Sequence, residues 1–178
     1  KQIEGEFSSI SSQVSFNVKR LSNGALNGAS DLEKTEYSTK IYTLRNKGNE
    51  LSNNIKELKT NIQLLLKSYE RAETTDSDLL SMILSLRDKT LDLEIKLGGS
   101  KVRKEIGEEY EYPTMWTYLW SASGGTNSTY GPTASHKKSF ENANQIFSTI
   151  NSEFKNLHNQ YKEVAPKLES IGAPKIKD

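Results

Sequence analysis

From Tyr37 to Tyr69 the apolar positions Tyr37, Ile41, Leu44, Gly48, Leu51, Ile55, Leu58, Ile62, Leu65 and Tyr69 follow one another at alternating spacings of four and three. A stripe of that period stays on one side of an α-helix and of no other regular structure. Ser30 with Glu33 three residues on supplies a capping-box start. The spacing therefore predicts one rod from 30 to 71, about 60 Å long at 1.5 Å per residue, which must bury its seam along its whole length. Two further segments carry the same signal. Leu79, Ile83, Leu86, Thr90, Leu93 and Leu97 run from the caps at Thr74 to Asp76 to the stop Gly98-Gly99, with Leu80, Leu84, Leu91 and Ile95 as a second stripe that implies two neighbours. Phe140, Ala143, Phe147, Ile150, Phe154, Leu157, Tyr161, Val164, Leu168 and Ile171 predict a second long helix over 133–171, with a kink or a break expected at Val164 to Ala165 ahead of Pro166.

The expected fold is all-α: an elongated antiparallel three- or four-helix bundle with two long helices, two shorter ones and a short N-terminal β-like extension. Residues 1–29 read as a linker or extended strand from an upstream domain, and 30–178 as the bundle. Within the first part, Val14, Phe16 and Val18 alternate with Ser15, Asn17 and Lys19 as in a half-buried strand. One strand is not stable alone, so it either completes a sheet belonging to something upstream or packs along the bundle.

The helix 76–97 covers only half of the first rod, and the stretch "YPTMWTYLWSASGG" is left to complete that wall. Pro113 suits a first helical turn. Met115, Trp116, Leu119 and Trp120 then share a face, so both indoles are expected in the core as a plug, the alternative being a platform on which a glycan stacks. The stretch from Lys101 to Glu111, with its Glu and its Lys and Arg side by side, reads as a solvated loop. Gly48 is the one gap in the first seam, near the level where the second helix ends, and either another backbone approaches closely there or a large side chain enters, such as Phe147 or Phe154 of the last helix; alanine there should recover about 1 kcal/mol of helix propensity, and leucine should overpack a filled gap at a cost of about 1–3 kcal/mol.

Composition narrows function more by exclusion than by assignment. The 178 residues are 34% hydrophobic and 26% charged with a formal charge of +1, and the two signs are interspersed, which gives no footprint for nucleic acid. No run approaches the ~20 apolar residues of a membrane span, so membrane insertion is not expected. With no cysteine there is no thiolate site. His136 and His158 lie about 33 Å apart along one helix and cannot share a metal. Glu105, Glu108, Glu109 and Glu111 lack EF-hand spacing and sit beside Lys101, Arg103 and Lys104. No catalytic residue, cofactor site or metal site is expected. Asn127-Ser128-Thr129 is a glycosylation sequon that matters only in a glycosylating host. An exposed interaction surface, if built, would come from Tyr110, Tyr112, Tyr118 and Tyr130.

The segments "VSFNVKRL", "LLSMILSLRDKTLDLEIKLGG", "YGPTASHKKSFENANQIF" and "APKLESIGAPKIKD", in that order over about residues 12–178, resemble the C-terminal helical region of bacterial sortilin-like β-propeller proteins. These large proteins carry bacterial neuraminidase repeats and are often labelled glycosyl hydrolases. The resemblance implies an extracytoplasmic parent whose propeller holds any glycan-related activity, and a non-catalytic accessory role for this region. Its partner would be the upstream β-propeller or another protein. The family's prolines and Arg before the short helix are reduced here to Pro113 and an aromatic-rich run. The alternative expectation is an extracytoplasmic helical sensor or adhesin that binds a ligand near the Tyr110 to Tyr130 cluster.

Overall fold

The computed structural model describes residues 2–3, 6–7, 12–18, 27–108 and 112–175. The chain opens with two two-residue strands, β1 (Gln2–Ile3) and β2 (Glu6–Phe7), paired antiparallel. All other regular structure among the described residues is helical. The helices are α1 (Asp31–Tyr69), α2 (Ser77–Gly98), α3 (Lys101–Glu105), α4 (Met115–Ser123), α5 (Ala134–Val164) and α6 (Lys167–Ser170), with a single 3-10 turn at Gly124–Thr126. No helix among the described residues is long and apolar enough to cross a membrane.

Local chemistry sets the ends. Ser30 Oγ accepts the Glu33 N–H at the start of α1, and Asp76 accepts from Asp78 and Leu79 at the start of α2. Thr114 with Thr117, and Thr133 with His136, form reciprocal capping boxes on α4 and α5. Pro113 accordingly precedes the cap of α4 and does not occupy its first turn as expected. Its missing N–H leaves the capping to Thr114. Pro166 ends α5 where expected, because it cannot donate to the helix ladder, and the chain resumes as α6. Residues 101–105 form a helix where a loop was expected: Ser100 caps the Arg103 N–H, and the Lys, Arg and Glu that follow are good helix formers.

Hydrogen bonds and ion pairs fix how the helices run. Lys137 reaches Glu33 at the first ends of α5 and α1, while Ser68 donates to the Pro174 carbonyl just beyond their last ends. The two long helices therefore run in the same direction. Lys59 pairs with Glu94 and Lys96 with Glu153, so α2 runs opposite to both. α4 also runs opposite to α1, with Tyr37 beside Ala122 and Gly48 beside Met115. Trp116 approaches Gly98, the last residue of α2, so α4 takes up the wall where α2 stops.

The core follows the heptads. Every seam position of α1 from Tyr37 to Leu65 is buried, with Ser68 buried in place of Tyr69. All six seam positions of α2 are buried. On α5, Ala143, Ile150, Leu157 and Val164 are buried, and Phe140, Phe147, Phe154 and Tyr161 are partly buried against the core.

Three further expectations fail. Residues 12–18 adopt no regular secondary structure. Val14, Phe16 and Val18 are 76%, 80% and 86% exposed, neither half-buried nor packed along the helices, because no described strand lies beside them to complete a ladder. The gap at Gly48 is filled by Met115 and Trp116 from α4, not by Phe147 or Phe154. Trp120 is 80% exposed and is no part of a plug, whereas Trp116 is partly buried. The cause is helical phase: with Thr114 as the cap, the buried stripe is Met115, Leu119 and Ala122, at i, i+4 and i+7. Each indole sits one residue, about 100°, off that stripe. Trp116 is rescued by the glycine of α1, and Trp120 is not.

Candidate interaction surface

The four candidate tyrosines do not form one site. Tyr110 lies outside the described residues. Tyr112 is exposed and stands with Pro113 at the wall of a groove of about 470 Å³ between α2 and α5, which Asp92, Lys96, Thr149 and Glu153 also line. Lys96 Nζ bridges Asp92 at 2.8 Å and Glu153 at 3.1 Å across this groove. The Asp92 carboxylate holds the ammonium above the usual lysine range, partial burial opposes the shift, and Glu153 adds to it. Tyr118 is partly buried against the core. Tyr130 lies beyond the far end of α4. Its carbonyl accepts the Ala29 N–H at 2.8 Å, and its backbone lies against Gly28. Tyr112 stands beside α5 residues 145–153, while Tyr130 precedes the start of α5 at 134, a separation of roughly 17 Å along the helix.

The polar groups that might suggest chemistry have structural partners. His136 Nδ1 accepts the Thr133 N–H at 3.2 Å and completes the cap of α5. His158 stacks between Phe154 and Tyr161, with ring centroids 5.8 Å and 6.2 Å away. Tyr37 directs its single hydroxyl proton between the carbonyls of Ala122 and His136, at 2.9 Å and 3.0 Å. Burial pushes its pKa above the ordinary tyrosine value. Glu105 and Glu108 are exposed, and Glu109 and Glu111 lie outside the described residues. Among the described residues no group of three or more His, Asp or Glu is placed to hold a metal ion, and no buried side-chain polar atom lacks a partner.

Several large apolar side chains are exposed, among them Val102, Ile106 and Tyr112. The segment 12–18 presents Val14, Phe16 and Val18. The end of the molecule to which that segment leads presents Leu32, Tyr42 at 64% exposure, Trp120 and, less fully, Tyr130. Arg45 lies 5.9 Å over the Tyr42 ring in a cation–π contact. Neither Tyr42 nor Trp120 was anticipated as a surface residue from the sequence. Tyr42 carried a signal, since it falls off the α1 seam.

No family model matches this chain, and neither a curated protein nor a solved structure is found to be similar to it.

Proposed function

We propose that this chain is a non-catalytic helical module that docks and spaces a β-sheet domain, taken from the resemblance as the β-propeller of a large exported protein. In this reading residues 30–178 form an elongated up-down-up bundle: α1 and α5 are the long walls, and α2 with α4 the third. Residues 1–29 are the arm that joins the bundle to its partner.

The observation that carries the reading is the exposure of Val14, Phe16 and Val18 in a stretch whose alternation is that of a strand. Strand addition to an open sheet edge satisfies both needs of such a segment. Its backbone groups gain ladder partners, and its apolar face gains a surface to cover. The module itself supplies a stiff support, since the α1 seam is buried from Tyr37 to Ser68, along about 45 Å of helix.

The reading frame upstream of Lys1 is the first test. Repeated Ser-x-Asp-x-Gly-x-Thr-Trp boxes are expected there. A transmembrane segment beside this region without such repeats would overturn the reading in favour of an extracytoplasmic sensor or adhesin. The isolated chain is expected to show no glycosidase activity, and measurable turnover of an aryl glycoside would overturn the non-catalytic assignment.

A further inference from the structure

We infer that residues 167–175 form a hinged strap: they close the end of the bundle where α1 turns into α2, and they open as a unit while the seams of α1, α2 and α5 stay packed.

Pro166 makes the hinge. It has no N–H to give to the carbonyl one turn back, so the ladder of α5 ends at Ala165, whose N–H still reaches the Tyr161 carbonyl at 3.0 Å. The bonds that follow are long, Leu168 N–H to the Ala165 carbonyl at 3.4 Å and Glu169 N–H to the Pro166 carbonyl at 3.2 Å. α6 is a single turn of four residues, too short to hold its shape without tertiary contacts. What fixes the strap is therefore what its far end touches.

That far end is a clasp. The Ile171 carbonyl accepts the N–H groups of Glu73 and Thr74 at 3.1 Å and 3.2 Å, and the Thr74 hydroxyl at 3.4 Å. Ser68 donates its hydroxyl to the Pro174 carbonyl at 2.6 Å. Leu168 and Ile171 are buried, and Ala173 packs against the core. The turn between Ile171 and Ala173 depends on Gly172, at φ +72°, where a Cβ would stand 2.9 Å from the Glu73 side chain. The clasp also accounts for the one departure from the α1 seam. Ser68 is buried in place of Tyr69 because the strap lies over it. The Tyr69 hydroxyl instead donates to the Asp76 carbonyl and accepts the Asp76 N–H.

Opening breaks the bonds of the Ile171 and Pro174 carbonyls and uncovers Leu168 and Ile171. None of the buried positions of α1 from Tyr37 to Leu65, nor those of α2 or α5, belongs to the strap. A motion that leaves those seams together costs far less than unfolding, which sets the strap at the low-stability end of the molecule. Glu73 and Thr74 are exposed, and their amides have the Ile171 carbonyl as their partner. Their exchange with solvent therefore reports the clasp.

Amide hydrogen exchange of the folded 178-residue chain, followed residue by residue by NMR, tests this. The amides of Glu73, Thr74, Gly172 and Ala173 are expected to exchange through one common opening, roughly tenfold or more faster than those of Ile55 and Leu58 in α1, and with little acceleration by low urea. Protection at Glu73 and Thr74 equal to that of Ile55 and Leu58 would overturn the inference, since the strap would then open only when the whole chain unfolds. Unequal protection on the two sides of the clasp would overturn it too, since they would not move as a unit. Gly172→Ala forces a side chain into the left-handed turn and against Glu73, and is expected to speed exchange at Glu73 and Thr74 roughly tenfold; unchanged exchange would overturn the clasp. A chain ending at Ala165 should keep a cooperative urea transition and the helical circular dichroism of α1, α2 and α5, while Thr74 loses its protection. Loss of the folded state on that truncation would overturn the strap, because the open form would have no fold to keep.

Discussion

Gly48→Ala is expected to destabilise this protein even though alanine is the better helix former. An ideal Cβ at position 48 lies 2.5 Å from Met115 Cε, 3.2 Å from its Sδ and 2.9 Å from Trp116 Cη2. Carbon atoms in good contact sit about 3.5–4.0 Å apart, so the Met115 methyl has to retreat by roughly 1 Å. Met115 is fully buried and has little room to do so. Trp116 is only partly buried and lines a cavity of about 160 Å³, so the indole can yield where the thioether cannot. Helix propensity contributes about 1 kcal/mol in favour of alanine. Overpacking a filled site costs about 1–3 kcal/mol. The middle of that range leaves a net loss of about 1 kcal/mol, or about 2–4 °C in melting temperature for a chain of this size. The sign is the reverse of the gain expected from the sequence, because the sequence shows the gap but not the residue inside it.

Urea denaturation followed by far-UV circular dichroism on four chains isolates the contact. Met115→Ala alone should cost about 2–5 kcal/mol by leaving a cavity. In that background Gly48→Ala no longer meets the thioether, so the helix gain of about 1 kcal/mol should emerge. The cycle therefore predicts a coupling of about 2 kcal/mol between positions 48 and 115. A Gly48→Ala gain of the same size in both backgrounds would refute the reasoning, since α4 could not then be seated on α1 at this point.

Tyr37→Phe should cost about 1–3 kcal/mol, because the Ala122 and His136 carbonyls lose their shared donor in a buried setting; thermal melts check it. The raised pKa of Tyr37 means that the folded state holds this proton more tightly than the unfolded chain does. Its contribution is complete below the ordinary tyrosine value of 10.0 and is lost as pH rises through the higher folded value, so alkaline destabilisation should be shallower in Tyr37→Phe. His136→Ala removes the acceptor of the Thr133 N–H and should cost about 1 kcal/mol in urea melts, with glutamine restoring part of the loss. Trp120→Ala should change stability by no more than about 0.5 kcal/mol, whereas Leu119→Ala, one residue away and buried, should cost about 2–5 kcal/mol.

The long helices were legible because their information is local and repeated. Each turn of α1 restates the same face, so ten positions from Tyr37 to Tyr69 agree on one seam, and only Tyr69 yields its place, to Ser68. Caps were equally plain at Ser30 and Asp76, whereas Thr114 was missed, because Pro113 was placed in the first turn of α4. The five-residue α3 was not legible, since it buries nothing and leaves no periodic trace. The alternation at 14–18 was read as a half-buried strand, which the structure does not show: alternation states a need for a partner without supplying one. Among the candidate site residues, the four tyrosines were grouped by closeness in sequence. The nine-residue α4 lies between Tyr112 and Tyr130 and keeps them apart.

The error over Trp120 shows why a short helix is harder to read than a long one. Over nine residues two stripes fit almost equally well: one through Met115, Leu119 and Ala122, the other through Trp116 and Trp120. Burial of indole area favours the second, and a sequence reading that weights side chains by size chooses it. The choice is made instead by the partner surface. α1 offers Gly48 at the level of Met115 and Trp116, and one turn earlier it offers Leu44 and Ile41, which are already buried in its own seam. A glycine makes room for one large ring, and no second glycine stands opposite Trp120. The ring is left outside for the same reason that its neighbour is half inside, so the surface aromatic follows from the packing of the core beneath it.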